Sequence, residues 1–333
     1  AYTPDLSMDY CQRCFKLRNY GVNTLEQEAL KTTDEILKGI KVSERDWVFC
    51  VNDILNIDFD VINHFKNHSK IVYLFNKVDL IIDDRNRNHI YNNLLDLLKS
   101  KGVEDPQIVL VSTLNNFGIR KISEAIEQLD WSEKIYFLGK TNSGKSSIIN
   151  KLICYADSKV KPLTISHYLN TTINVRQIKL HKHAIIDTPG YNSGHSILQD
   201  IKNLKDINKL QVNKKIKPVS FQITEDQSFI IDNLINLSIE TDKLASVIFY
   251  ISNKLPILRT KTVNLERNLK NSLNQKIEVI KSERVTKSFE LDSGSRYNLC
   301  INGLGLILIK GTTKLSVNTF KNVDLNLLEK VII

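Results

Sequence analysis

The sequence predicts an α/β fold, a mostly parallel sheet with helices on both faces, followed by a smaller C-terminal α+β domain. Three observations carry that expectation. Apolar runs at 71–75, 135–138 and 184–186 each have the length and composition of a buried strand. Each run ends directly on a polar or glycine-rich loop. After the second run and its loop, residues 147–153 continue as an apolar helical stretch.

The second run leads into Gly139-Lys140-Thr141-Asn142-Ser143-Gly144-Lys145-Ser146. Chance would produce this G-x-x-x-x-G-K-S pattern in such a chain on the order of 1% of the time. A strand that feeds a tight glycine loop, with a helix behind it, aims backbone N–H groups at phosphate oxygens. In that role the loop, with Ser147, cradles the phosphates, Lys145 reaches the β- and γ-phosphates and Ser146 places its hydroxyl on Mg²⁺. A plain glycine turn with a capping serine is the other reading, and the flanking strand and helix argue against it.

Asp187-Thr188-Pro189-Gly190 ends the third run, 42 residues after Lys145. A carboxylate at a strand end suits the water shell of Mg²⁺, and Gly190 can bring an N–H to the γ-phosphate. Asp, Pro and Gly are also ordinary turn formers; the position after the phosphate loop favours the nucleotide role. A threonine between these motifs is expected to close on Mg²⁺ when the γ-phosphate is present. Thr172, just before the strand-like 173–175, is preferred, with Thr171 as the alternative.

The first run ends on Asn76-Lys77-Val78-Asp79. The Asp79 carboxylate can accept from N1–H and the 2-amino group of guanine, donors that adenine lacks, so a site built on those bonds rejects adenine strongly. Asn76 and the stem of Lys77 would brace the loop and cover the base. A further strand-like run at 107–111 ends on Ser112-Thr113, where the backbone would lie near the base. The guanine reader therefore precedes the phosphate loop by 60 residues, from 79 to 139, the reverse of the ordinary order. The domain reads as circularly permuted. An unpermuted reading needs a base reader after residue 190, and the candidate Asn253-Lys254-Leu255-Pro256 has proline where the carboxylate belongs.

With this motif order, the opening Cys11-Gln12-Arg13-Cys14-Phe15-Lys16-Leu17-Arg18-Asn19-Tyr20 and the late segments Leu258-Arg259-Thr260-Lys261 and Asn302-Gly303-Leu304-Gly305, the chain resembles the YqeH family of circularly permuted GTPases. The resemblance covers essentially the whole chain. It implies a central GTPase domain, a preceding zinc finger, a C-terminal domain that contacts RNA or protein, and a role in assembly of the small (30S) ribosomal subunit. The family's finger uses two Cys pairs, the set a four-thiolate Zn²⁺ site needs. Here only Cys11 and Cys14 stand near the start, so a partial finger and no complete Zn²⁺ site is expected, the other pair being trimmed or lost. Cys50, Cys154 and Cys300 lie singly among apolar residues and read as core. Ras-like enzymes place a water-orienting Gln after the glycine of the third motif; this chain has Tyr191. In related GTPases an asparagine at the position of Asn142 helps hold K⁺, which supplies positive charge where an arginine finger would. The alternative for Asn142 is an amide that braces the loop. The resemblance thus implies slow intrinsic hydrolysis, accelerated by K⁺, with Lys145, Thr172, Gly190 and Asn142 as the catalytic set.

A chain of 333 residues exceeds a GTPase core. The expected divisions are 1–22 for the partial finger, 23–197 for the permuted GTPase domain, 198–217 for a basic coupling segment and 218–333 for a C-terminal domain that binds RNA or protein. Lys202, Lys205, Lys209, Lys214, Lys215 and Lys217 crowd the coupling segment, with Leu198, Ile201, Leu204 and Ile207 interleaved at roughly helical spacing. Such a face is as readily solvated as bound to phosphate. Its place after Gly190 lets γ-phosphate contacts reach the C-terminal region. There, runs at 219–223, 245–251 and 305–310 read as strands and 264–280 as a polar helix, in an α+β or barrel-like arrangement. Arg259, Lys261, Arg267 and Lys270 would meet RNA phosphates there or remain surface charges.

A net charge of +9 points to a polyanionic partner. The partner expected is the small ribosomal subunit or its rRNA, read mainly by shape; no DNA is expected, and the protein is expected to be a monomer. No apolar run approaches the roughly 20 residues of a membrane span, and no membrane association is expected. Five cysteines in no disulfide-like pattern suit a bacterial cytoplasm, or an organelle if a transit segment was trimmed. The function expected is a switch that binds GTP or GDP with Mg²⁺, hydrolyses GTP and docks on the pre-ribosome in one nucleotide state. The alternative is an RNA- or ribosome-binding scaffold whose nucleotide site is nearly inactive.

Overall fold

A computed structural model describes residues 37, 39–83, 85–156, 176–180, 182–191, 195–271, 277–280, 282–329 and 332–333. Cys11 and Cys14, and Thr171 and Thr172, lie outside the described residues.

The first sheet has six strands, β1 (Trp47–Asp53), β2 (Ile71–Asn76), β3 (Gln107–Leu110), β4 (Lys134–Leu138), β5 (Arg176–Leu180) and β6 (His183–Asp187). Their spatial order is β3-β2-β1-β4-β6-β5, with every pair parallel except β5–β6. The strand that feeds the phosphate loop is fourth in sequence and central in space. Helices α1 (Phe59–Phe65), α2 (Arg87–Ser100), α3 (Ile119–Glu127) and α4 (Lys145–Tyr155) connect the strands.

Helices cover both faces, because β1 is apolar without interruption. Its Val48 and Cys50 join a cluster with Ile62, Phe65, Ile90 and Leu94 of α1 and α2. The alternate residues Phe49 and Val51 join another with Ile122, Ile126, Ile148 and Leu152 of α3 and α4. The buried residues of α2, Ile90, Leu94, Leu97 and Leu98, recur at the spacing of one helical face. That helix stops where Gly102, at φ +87°, takes the left-handed conformation that lets Val103 N–H return to the carbonyl of Leu98.

The remainder corrects the α+β expectation. It is built on two antiparallel five-stranded sheets. One has the order β16-β13-β14-β10-β7 and the other β11-β8-β9-β15-β12. The strands are β7 (Val219–Ile223), β8 (Gln227–Ile231), β9 (Ile235–Glu240), β10 (Ala245–Ile251), β11 (Ile257–Lys261), β12 (Arg284–Glu290), β13 (Arg296–Ile301), β14 (Gly305–Lys310), β15 (Lys314–Phe320) and β16 (Leu325–Leu328). One core contains Val247 and Ile307 from the first sheet and Phe229, Leu237 and Val317 from the second. Of the polar stretch 264–280, residues Leu265–Asn271 form a helix, whereas Val279 pairs with Ile201.

The basic segment is not one helix. After a 3-10 turn at Ile197–Asp200, Ile201 is extended, Lys202 N–H donates to Glu278 O, and Ile280 N–H donates to Asp200 O. Helix α5 (Leu204–Leu210) has only seven residues. Pairing with 278–280 wins over helix continuation because it satisfies the backbone while Ile201 stays buried. Lys202, Lys205, Lys214, Lys215 and Lys217 are exposed, whereas Lys209 pairs with Asp206 at 2.5 Å. Cys50 and Cys300 are buried as expected, but Cys154 is exposed, because Leu152 and Ile153 take the inward face near the end of α4.

No helix among the described residues is long and apolar enough to cross a membrane.

Candidate active site

The loops at the carboxyl ends of β1, β2, β4 and β6 meet around a cavity of about 550 Å³. Residues 139–146 run from β4 into α4. Gly139 has φ +152°, and a Cβ there would fall 2.2 Å from the carbonyl oxygen of Val51 on β1. Asn142 is itself left-handed, at φ +65°, a conformation that Asn tolerates better than most residues. It therefore has a backbone reason to be there besides any ligand. Gly144 has φ +96° and precedes the first turn of α4.

The guanine-reader loop and the phosphate loop are directly bonded. Asn76 Nδ2–H donates to the Ser143 carbonyl at 2.9 Å. Gly144 lies against the same amide, since a Cβ there would sit 2.1 Å from Asn76 Nδ2. Lys77 is left-handed, at φ +62°, and its Nζ pairs with Asp53 Oδ2 at 2.6 Å. Asp79 starts within a 3-10 turn, and Ser112 Oγ–H donates to its Oδ1 at 2.5 Å. The serine holds the carboxylate from one side and leaves Oδ2 for another donor. Thr113, beside it, lines the cavity.

At the other end, Lys145 is buried and its Nζ donates to the carbonyls of Gly139 at 2.7 Å and Lys140 at 3.2 Å. Burial pushes its ammonium down to about 8, against the pull of Asp187 and Asp58. Ser146 Oγ–H donates to Asp187 Oδ2 at 3.1 Å. This hydroxyl–carboxylate pair is an oxygen donor set that fits Mg²⁺, which keeps several waters and takes few protein ligands. Gly190 closes the cradle, because a Cβ there would lie 3.0 Å from Thr141 Cα and 3.1 Å from Lys145 Nζ. Ser147 also lines the cavity.

Tyr191 is fully buried and turns away from this cradle. Its hydroxyl donates to Asp58 Oδ2, and burial beside that carboxylate holds the phenol well above its ordinary pKa. Asp58 caps α1, and its own N–H donates to Asn52 Oδ1 at 2.8 Å. The carbonyl of Tyr191 accepts from Thr141 N–H at 2.9 Å. The segment after Gly190 is thus tied to the phosphate loop by backbone and to β1's exit by a buried side chain. Sequence reading missed Asp53 and Asp58; Asn52-Asp53 directly after the apolar 47–51 was the available signal for the first.

The Lys145 environment predicts a pH dependence. Phosphate oxygens favour the charged amine, so binding takes up a proton at pH values between about 8 and the higher pKa of the complex. Affinity for GDP is expected to decline above pH 8, by at most about tenfold per unit. Titrations at pH 7.5 and 9 check this, and equal affinities would refute it.

Family comparisons agree with this geometry. A model described as "RsgA GTPase" matches residues 56–196, and one described as "50S ribosome-binding GTPase" matches residues 134–261. The chain is 29% identical to YqeH of Bacillus subtilis over 276 residues, 80% of this chain and 74% of that protein. It is 23% identical to the chloroplastic GTP-binding protein Brassinazole Insensitive Pale Green 2 of Arabidopsis thaliana, over 97% of this chain and 56% of that longer protein. It is 27% identical to the small ribosomal subunit biogenesis GTPase RsgA of Malacoplasma penetrans, over 46% of this chain and 53% of that one.

Proposed function

The chain belongs to the circularly permuted GTPases, and from that premise we propose that it is a GTP-hydrolysing switch in assembly of the small ribosomal subunit, docking on rRNA or pre-ribosome in one nucleotide state. The observation that carries the reading is one cavity lined by a guanine-type reader, a phosphate loop and Ser146, whose hydroxyl bonds Asp187. Similarity to a small-subunit biogenesis GTPase favours the small subunit over the large one named by the other family model.

In this mechanism Asp79 selects guanine, Asn76 holds the reader against the phosphate loop, Lys77 ties it to Asp53 at the end of β1, and the loop amides with Lys145 bind the phosphates. Ser146 and Asp187 would hold Mg²⁺, which would neutralise charge developing on the phosphate oxygens. Gly190 N–H would meet the γ-phosphate, and Thr172, outside the described residues, would be a further Mg²⁺ ligand. Tyr191 supplies no group to orient water, because its side chain is committed to Asp58.

The family resemblance points to K⁺ for electrostatic help, and Asn142 would hold it. Hydrolysis is expected to be slow in Na⁺ and faster in K⁺; equal rates would remove Asn142 from catalysis. The exposed lysines at 202, 205, 214, 215 and 217 are the proposed phosphate contacts to rRNA.

Co-sedimentation with purified small and large subunits at fixed salt tests the reading. Binding to the small subunit should be stronger with a non-hydrolysable GTP analogue than with GDP. Equal binding in both states would favour a scaffold, and preference for the large subunit would reassign the partner.

A further inference from the structure

Part of the cavity wall comes from outside the six-stranded sheet. The stretch 210–213, which starts at the last residue of α5, and the turn 303–305, which joins β13 to β14, also line it. Each is anchored to one end of the nucleotide site. Ile216 N–H donates to the carbonyl of Leu80 at 2.9 Å, and Leu80 directly follows Asp79. Ile216 and Val212 pack in the same cluster as Val78 and Leu80, together with Cys300 and Leu306 of the C-terminal sheets. The stretch is therefore fastened beside the base reader.

The turn is fastened to the other end. Ile197 N–H donates to Asn302 O at 3.0 Å. Gly303, at φ +85°, presses on the segment that follows Tyr191, because a Cβ there would fall 2.2 Å from Ser196 Oγ and 3.1 Å from Leu198 Cγ. Gly305, at φ +141°, is held by β10, where a Cβ would lie 2.4 Å from the carbonyl of Tyr250. A turn so confined follows residues 196–198 rather than yielding to them.

We propose that 210–213 and 303–305 form a nucleotide-contacting wall, so that the site is completed by both parts of the chain and the C-terminal sheets sense whether it is filled. The inference rests on the guanine-nucleotide reading above. Attachment next to Asp79 assigns the 210–213 stretch to the ribose–purine half of the ligand, whose hydroxyls and base edge suit the amides of Gln211 and Asn213. The turn 303–305, which lines the cavity and is seated on residues 196–198, carries occupancy to β13 and β14.

Amide hydrogen exchange on the full chain tests this, with GDP and with inorganic pyrophosphate as probes. With GDP at about 100 times its dissociation constant, exchange that requires release of the ligand slows by up to about 100-fold. That slowing is expected at 139–146, at 210–216 and at 302–305. Slowing confined to the loops of the six-stranded sheet would overturn the wall. Pyrophosphate, which has no ribose or base, is expected to slow 139–146 and leave 210–213 unchanged; equal slowing at 210–213 would overturn its assignment to the ribose–purine half. Slowing at no loop with GDP, the phosphate loop included, would sink the guanine-nucleotide reading and the wall with it.

Discussion

Asp79→Asn is expected to weaken binding of GDP and GTP by on the order of 10⁴-fold and to restore tight binding with xanthine nucleotides. The reasoning is one of donors and acceptors. Ser112 Oγ–H already occupies Oδ1 of Asp79 at 2.5 Å, which orients the carboxylate, and Asp79 lines the cavity with Oδ2 left for another donor. Guanine offers donors there, N1–H and the 2-amino group. An asparagine would set an N–H against that amino group, leaving buried polar groups unpaired. Xanthine carries a carbonyl at the same position and accepts from the new amide. Titration of the variant with fluorescent GDP and xanthosine diphosphate reads both effects. Unchanged GDP affinity would remove Asp79 from base recognition.

Gly144→Ala should cost about 2–5 kcal/mol, from a left-handed residue that now carries a Cβ and from overpacking against its neighbour. The neighbour is the point of interest. The new methyl would lie 2.1 Å from Asn76 Nδ2, the atom that bonds the Ser143 carbonyl and couples base reader to phosphate loop. Relief requires one loop to move away from the other. The variant is therefore expected to lose both melting temperature and GDP affinity, read by calorimetry and by titration. Wild-type values for both would show that the two loops are not mechanically coupled through this contact.

The candidate site was largely legible because its motifs are local. A strand, a loop and a helix start are contiguous in sequence, and each loop's chemistry depends on residues within about one turn of chain. The runs expected at 219–223, 245–251 and 305–310 are all strands. Short strands escaped notice. Gln227–Ile231 is buried at every position and carries two polar residues, so it shows neither alternation nor a continuous apolar run. Without it and its partners, the polar stretch at 264–280 took too much weight and gave an α+β domain instead of two sheets. Helical spacing after residue 198 misled for a similar reason, since backbone pairing between Asp200–Lys202 and 278–280 overrides local periodicity.

By itself, the sequence determined the nucleotide chemistry of this protein and the inverted order in which its parts occur. Both follow from residue types at short spacing, where backbone geometry leaves few alternatives. The tertiary structure decided what those parts touch. It turned Tyr191 into the core against Asp58, paired Lys77 with Asp53 and set the 210–213 stretch and the 303–305 turn against the cavity. Those contacts join residues from 24 to 133 positions apart, or bring in residues 64 to 159 positions beyond the phosphate loop, from 146 to 210 and to 305. No local spacing encodes such pairings. They arise when two separate cores, each burying its own apolar face, also share the cluster that holds Val78, Leu80, Ile216 and Leu306 together.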